Sequence, residues 1–143
     1  MKYLVFITII MSLNSAVYGQ SASLTVDISG FRNDRGKCDV YLYNNKEGFP
    51  TDQDKAFRKI VTDIKNKRSQ AVFNDLAAGT YSVAVVHDEN GNGRTDTNFL
   101  GIPKKGLGSS NNPKTMGPPR FEDSKFVIGE GNKTIEIKLK YIL

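Results

Sequence analysis

Hydrophobic and polar residues alternate along several short stretches of this chain, and that two-residue period is typical of half-buried β-strands. The clearest case is residues 23–30, where Leu24, Val26 and Ile28 alternate with polar neighbours. A polar turn at residues 31–36 leads to the next such stretch, so we expect the first two strands to pair as a hairpin. The predicted strands are residues 23–30, 37–44, 56–65, 70–76, 80–86, 125–128 and 133–141.

Two of these stretches decide the fold class. Residues 56–65 fit a helical as well as a strand period, and the β-branched Ile60, Val61 and Thr62 favour the strand. Residues 80–86 end in a run that is apolar on both faces, which predicts a central strand buried on both sides. With no convincing helix, the pattern predicts an all-β fold, a sandwich of about seven short antiparallel strands rather than a closed barrel.

One long loop, residues 97–123, separates the fifth and sixth predicted strands and follows neither period. Loops of this length are uncommon in compact domains and are usually functional or disordered. Its apolar residues argue against disorder, so we expect it to form the recognition surface. Three residues of this loop, Phe99, Ile102 and Pro103, either make a ligand patch rimmed by Lys104 and Lys105 or fold down over the end of the sandwich. The apolar residues that argue against disorder are Phe99, Leu100, Ile102 and Leu107.

The N-terminus predicts export. Lys2 is followed by an apolar run at residues 4–11 that is too short to span a bilayer, and then by the small-residue site Val17-Tyr18-Gly19. We therefore expect a signal peptide at residues 1–19 and one mature domain at residues 20–143, located in the periplasm or secreted. No second apolar stretch reaches membrane-spanning length, so we expect no transmembrane segment.

Composition changes this picture in two ways. The formal net charge of +5 is spread along the chain rather than gathered in one tract, so we do not expect nucleic acid as a partner of an exported protein. Cys38 is the only cysteine, which excludes an intramolecular disulfide and requires a packed core for stability. Because Cys38 alternates with Val40 and Leu42, we expect it to be a buried small hydrophobe.

Directly behind the fifth strand, residues 87–98 crowd oxygen-bearing side chains and glycines together. Their spacing matches the first nine positions of a calcium loop, with oxygens at positions 1, 3, 5, 7 and 9 and glycine at position 6. Position 12 is Phe99 rather than a bidentate glutamate, and no helical pattern flanks the loop, which excludes an EF-hand. The predicted calcium ligands are the side chains of Asp88, Asn90, Asn92 and Asp96 and the backbone carbonyl of Arg94.

Such a loop would bind calcium weakly, with a dissociation constant of about 0.1–1 mM, and would stabilise the protein rather than sense the ion. The alternative is that Asn90-Gly91 and Asn92-Gly93 are turn dipeptides that supply positive φ, with Asp88 and Asp96 capping their own backbone. Both interpretations account for the glycines. Calcium explains better why acids stand at both ends of the loop.

His87 is the only histidine and directly precedes this loop. A single histidine without a cysteine partner does not make a zinc site, and we expect it to be packed or hydrogen-bonded at the strand end. Ser109 and Ser110 lack the Gly-x-Ser-x-Gly elbow of a nucleophile. We therefore expect a non-enzymatic binding or structural module. The competing hypothesis is a small hydrolase or carbohydrate-processing enzyme that uses His87 with Asp88 or Asp96.

The segment around the third strand is the most basic part of the chain. Its cations either form a solvated face that keeps an edge strand from pairing with other sheets or bind a polyanion such as a surface polysaccharide. We expect the first role for these residues, and an unknown protein or polysaccharide of the cell envelope as the partner of the molecule. The basic residues are Lys55, Arg58, Lys59, Lys65, Lys67 and Arg68.

Three motifs carry a resemblance to a known family. They are Phe-Asn-Asp-Leu-Ala-Ala-Gly-Thr-Tyr at residues 73–81, His-Asp-Glu-Asn-Gly-Asn-Gly at 87–93, and Phe-Leu-Gly-Ile-Pro-Lys at 99–104 followed by Ser-Asn-Asn at 110–112. From residue 24 to residue 141 the chain resembles the bacterial domain of unknown function numbered 2141. The resemblance implies an exported protein without an assigned activity.

A second resemblance concerns the corner at residues 76–81. Its Leu-x-x-Gly-x-Tyr pattern is similar to that of transthyretin-like and collagen-adhesin B-type modules. This implies an immunoglobulin-like or prealbumin-like sandwich and transfers no catalytic residue. Many members of the first family carry proline and an acid where this chain has Ala78 and Lys105, so we expect a looser corner and a more basic loop here.

Overall fold

The structure is a computed structural model that describes residues 21–94, 100 and 103–143. The predicted signal peptide lies outside these residues. Within the described part of the chain, eight strands form two sheets, with a 3₁₀ turn at Gln53–Lys55 and a one-turn helix, α1, at Phe121–Ser124. The strands are β1 (Ala22–Ser29), β2 (Lys37–Tyr43), β3 (Arg58–Thr62), β4 (Ser69–Leu76), β5 (Gly79–Asp88), β6 (Gly106–Ser109), β7 (Phe126–Ile128) and β8 (Lys133–Lys138).

The two sheets confirm the predicted all-β sandwich. One sheet has the order β4-β1-β8, and the other has the order β3-β2-β5-β6, with β7 pairing the start of β5. All pairs between these strands are antiparallel except β1 with β8, which is parallel. The described helices are too short to cross a membrane.

The predicted hairpin of the first two strands is wrong. β1 and β2 belong to different sheets, so residues 30–36 cross from one layer of the sandwich to the other. Alternation determines which face of a strand is buried, and it says nothing about which strand lies beside it. The choice of strand at residues 56–65 is confirmed by β3, which forms an edge of the larger sheet.

The main core lies between the two sheets and is built from the inward residues of nearly every strand. Cys38 belongs to it, as predicted, and burial raises the pKa of its thiol to about 11. Such a thiol is inert at neutral pH. Other members from the central strands are Leu24, Val26, Ile28, Val40, Leu42, Val83 and Val85.

A second apolar layer covers the outer face of the five-stranded sheet. Tyr41, Tyr43, Ala84 and Val86 point outward from β2 and β5, yet all four are buried. This layer explains why β5 is apolar on both faces, and it confirms the prediction of a central strand. The residues that cover it come from the connections between strands and from β6, namely Phe49, Ala56, Leu107 and Phe121.

Strand β6 interrupts the segment in which the sequence predicts one long loop. A Cβ atom on Gly106 would lie 2.4 Å from the Tyr141 ring, and one on Gly108 would lie 2.7 Å from the Ile137 side chain. Glycine therefore lets β6 pass close to the C-terminal segment while it pairs with β5. Because a glycine-rich stretch shows no alternation, its sequence is typical of a loop, and the prediction missed the strand.

Candidate functional site

The site lies at the end of β5, where the side chains of the last two strand residues point to opposite faces of the sheet. His87 faces the main core and Asp88 faces the outer layer, because successive strand residues alternate. Both side chains are buried, at 0% and 3% exposure. Two buried polar residues at one strand end each require partners inside the protein, because an unpaired buried polar group is costly. Those partners define two neighbouring clusters.

The loop that follows Asp88 is a series of tight turns. Gly91 and Gly93 have φ values of 68° and 70°, the positive φ that the turn interpretation of the Asn-Gly pairs predicts. The backbone N–H of Gly93 donates to Asp88 Oδ2 at 2.8 Å, and that of Arg94 donates to Asn92 Oδ1 at 2.9 Å. Asp88 therefore caps its own loop.

Lys105 reaches into this loop from the residue that precedes β6. Its Nζ atom donates to Asp88 Oδ1 and to Asn92 Oδ1, each at 2.6 Å, and also to the carbonyl of Arg94. These three oxygens belong to three of the five predicted calcium ligands, so the structure brings those three together. Lys105 is only 5% exposed. This burial does not fit the alternative in which Lys105 forms the exposed rim of a ligand patch, because its ammonium lies in the acidic loop across the strand pair.

Of the other two predicted ligands, the structure describes only Asn90. The side chain of Asn90 is exposed and accepts a hydrogen bond from the backbone of Asn92. Asp96 lies outside the described residues, as do Phe99 and Ile102 of the predicted apolar patch. Among the described residues, no group of three His, Cys, Asp or Glu side chains is placed to hold a metal ion. Calcium binding stays a prediction.

The electrostatics of Asp88 follow from this arrangement. Burial acts to raise the pKa of the Asp88 carboxyl, but the Lys105 ammonium and the Gly93 N–H outweigh it and hold the pKa below its ordinary value. Asp88 is therefore a carboxylate at neutral pH. The pair is almost completely shielded, with 5% and 4% of the two side chains exposed.

Asp39 is a second buried carboxyl on the same face, and it was not predicted from the sequence. It lies in β2 at 2% exposure, with Tyr41 Oη at 3.4 Å and Lys59 Nζ at 3.8 Å. The pKa of Asp39 is raised, mainly because the carboxyl is buried. The charge of Asp88 also raises it, while the attraction of Lys59 lowers it by less. The alternation of β2 places Asp39 on the outer face, which would be in water if no second layer covered the sheet.

His87 is held by hydrogen bonds on both sides of its ring. Nε2 lies 2.7 Å from the carbonyl oxygen of Arg35, and Nδ1 lies 2.7 Å from Tyr141 Oη. A carbonyl can only accept, so Nε2 carries a proton, and in the neutral ring Nδ1 accepts from the tyrosine hydroxyl. The same hydroxyl accepts from the backbone N–H of Arg32 at 3.1 Å. The geometry thus fits the predicted packed strand end, and both ring nitrogens are in use.

Glu89 joins this inner cluster to the chain terminus. Its carboxylate accepts from Arg32 Nε at 2.6 Å and from Asn33 Nδ2 at 3.2 Å, while Arg32 Nη1 donates to the carbonyl of Leu143 at 2.7 Å. Burial acts to raise the pKa of Glu89, but Arg32 and Asn33 outweigh it and lower the pKa. The carboxylate therefore anchors the β1–β2 connection and the C-terminus around His87.

Most of the chain matches a protein-family model. A family model described as "Uncharacterized protein conserved in bacteria" (DUF2141) matches residues 26–136. The chain belongs to this family. The match includes Cys38, the whole of β5 and Lys105. Neither a search of curated proteins nor one of solved structures found a match.

In this DUF2141 protein, several cations of the predicted basic region have partners within the chain. The guanidinium of Arg58 donates to the carbonyls of Asn74 and Asp75, and Lys55 pairs with Glu47 at 3.0 Å. Lys59 lies over the Tyr41 ring, 5.1 Å from its centroid. Since β3 is an edge strand, these contacts agree with the edge-protecting interpretation.

The DUF2141 protein also carries a shallow groove on its outer layer. The groove has a volume of about 450 Å³ and lies between the β2–β3 connection and the segment that leads into α1. Its floor is aromatic, because the Phe49 ring meets Tyr43 at 5.2 Å and Phe121 at 5.9 Å between centroids. The lining residues are Lys46, Phe49, Pro50, Thr51, Pro118, Pro119, Arg120, Phe121 and Glu122.

Proposed function

We propose that this protein is an exported, non-enzymatic β-sandwich module of the bacterial cell envelope that binds a segment of another protein in the groove at Phe49 and Phe121. The observation that carries the proposal is the composition of that groove, which combines aromatic rings and prolines with one arginine. Aromatic residues and arginine are enriched where proteins bind each other. Lys46 and Glu122 also line the groove and belong to residue types that are depleted there, so the proposal rests on the aromatic rings and Arg120. Part of the predicted recognition segment, residues 97–123, lines the groove.

The groove is supported from below, which favours binding. Phe49 packs on Tyr43 and on Phe121, and these rings rest on the buried outer face of the sheet. Arg120 is held by two hydrogen bonds to Asp123, at 3.0 Å and 3.1 Å. A preformed surface loses little conformational entropy when a partner binds.

The competing hydrolase hypothesis finds little support in the same residues. Both ring nitrogens of His87 are bonded within the core, so neither faces a substrate. The hydroxyl of Ser110 accepts from the backbone N–H of Val83 at 3.0 Å and donates to the carbonyl of Ser124. A general base must reach the proton that it removes, and a nucleophile must face its substrate.

Export is supported by the pattern at residues 1–19, and N-terminal sequencing of the protein recovered from the cell envelope tests it.

Binding is tested by placing a photo-crosslinking amino acid at Thr51, in the groove, and at Val72, which is exposed on β4 of the other sheet. We expect a discrete protein adduct from position 51 in intact cells, which the additional substitution Arg120→Glu weakens. Equal adducts from both positions would contradict the proposal. Retention on an envelope polysaccharide that depends on Arg120 would instead identify a glycan ligand.

A further inference from the structure

The Lys105 ammonium sits among oxygens that match those of a calcium loop. The oxygens of Asp88, Asn92 and Arg94 stand at positions 1, 5 and 7 of the loop pattern, and all three accept from one Nζ atom. An ammonium group has three N–H donors and no acceptor, so it matches three converging oxygens. The loop thus already surrounds a cation, and that cation belongs to the chain.

The strand register explains why Lys105 arrives there. In the antiparallel pair of β5 and β6, His87 stands opposite Gly106, so the next residues in register are Asp88 and Lys105. Opposite charges that face each other across an antiparallel pair attract. Gly106 permits this approach, because any side chain there would meet the Tyr141 ring. The pairing of β5 with β6 therefore places the Lys105 ammonium in the loop.

We infer that Lys105 is the resident cation of the 88–94 loop, that its ammonium takes the place of a divalent ion, and that this end of the sandwich is held without metal. Nζ lies 2.6 Å from a carboxylate that is itself buried. A divalent ion bound to the same oxygens would stand within a few ångströms of the ammonium, and the repulsion between them excludes joint occupancy. Removal of the ammonium would leave these oxygens available to a divalent ion.

Calcium titrations of thermal unfolding, followed by circular dichroism, test this inference. The variants are Lys105→Met, which removes the charge, and Lys105→Glu, which adds a second carboxylate beside Asp88. The matched control is Lys104→Met, because Lys104 is the exposed neighbour. We expect wild type and the control to show no shift of Tm with millimolar calcium. Without calcium, both Lys105 variants melt on the order of 10 °C lower, since each leaves Asp88 without its cation.

Calcium is then expected to raise the Tm of Lys105→Glu by several degrees in a saturable manner. Terbium luminescence, which reports a bound ion directly, should appear in that variant and be absent from wild type. A saturable calcium shift in wild type as large as that of Lys105→Glu would overturn the inference. So would a folded Lys105→Glu variant that ignores calcium, or a Lys105→Met variant with the Tm of wild type.

A further variant keeps the test decisive if Lys105→Glu does not fold. In Asp88→Asn combined with Lys105→Met, both charges of the pair are gone, so no buried charge lacks a partner. We expect this double variant to fold and to melt above Lys105→Met, without a calcium response. A double variant that melts below Lys105→Met would show that the ammonium does not act through Asp88, and the inference would fail.

Discussion

The two clusters at the end of β5 satisfy adjacent buried residues by opposite means. On the inner face, His87 takes part in a chain of neutral hydrogen bonds that runs from the Arg32 N–H through Tyr141 to the Arg35 carbonyl. On the outer face, Asp88 is paired with the ammonium of Lys105. Breaking a buried ion pair costs more than breaking a buried neutral hydrogen bond, because a charge without a partner loses more solvation. The outer cluster should therefore be the more sensitive of the two.

The largest expected effect follows from Asp88→Ala. This change leaves the Lys105 ammonium buried without its carboxylate, so the free energy of unfolding should fall by about 3–5 kcal/mol. Urea denaturation measures it. The control is Asn90→Ala in the same loop, where the side chain is exposed and the loss should stay below about 1 kcal/mol. Equal losses in the two variants would remove the distinction between the paired carboxylate and the rest of the loop.

Tyr141→Phe tests the hydrogen bonds of His87 in the inner cluster and should be the next largest effect. It removes the hydroxyl that donates to His87 Nδ1, and leaves a buried acceptor without a donor at a cost of about 1–3 kcal/mol. Tyr43→Phe is the matched control, since its hydroxyl bonds the carbonyl of the exposed Asp52, where water can replace it. A Tyr43 variant that loses more stability than the Tyr141 variant would contradict a special role for the His87 network.

Acid should weaken both clusters, because each contains a carboxylate whose pKa is lowered in the folded protein. The pKa of Asp88 and that of Glu89 lie below their ordinary values in the folded protein. Their stabilisation is therefore complete above the unfolded pKa values of about 4 and is lost as pH falls through the folded values. We expect a decline in the free energy of unfolding below about pH 4, measured by urea titration at each pH. Asp88→Asn with Lys105→Met should show a shallower decline, and an unchanged decline would assign the acid sensitivity elsewhere.

Asp39→Asn should have the smallest effect, and it should have the opposite sign. The folded protein raises the pKa of Asp39, so the cost of its ionisation appears as pH rises through the unfolded pKa of about 4 towards the folded one. Removing the charge should stabilise the protein by about 1 kcal/mol or less at neutral pH. Below about pH 4 the gain should vanish. Destabilisation at neutral pH would mean that the attraction between Asp39 and Lys59 outweighs burial.

The fold could be predicted from the sequence where the relevant information was local. The alternation in Leu24, Val26 and Ile28 identifies a strand whichever strand pairs with it, and the apolar end of β5 indicates burial on both faces. β6 was missed because Gly106 and Gly108 are required by Tyr141 and Ile137, which are distant along the chain. The β1–β2 hairpin was wrongly predicted for a related reason, since alternation does not specify a partner strand.

The same distinction between local and distant information applies to the candidate site. The Asn-Gly turns and the oxygen-rich spacing of residues 88–94 are local, and the structure shows both the positive φ values and the convergence of Asp88, Asn92 and Arg94. The cation that these oxygens surround could not be identified from the loop. Lys105 is 17 residues away from Asp88, and its position depends on a strand that has no hydrophobic period.

By itself, the sequence determined the strand-rich character of the chain, the buried centre of β5 and the turns that follow Asp88. These features depend on the periods and φ preferences of neighbouring residues, so they need no knowledge of distant contacts. Only the tertiary structure decided that Asp39 is buried, that His87 is fully bonded and that Lys105 meets Asp88. Each of these depends on which segments the sandwich brings together, because a charge or a hydroxyl acquires its role from the group that packs against it.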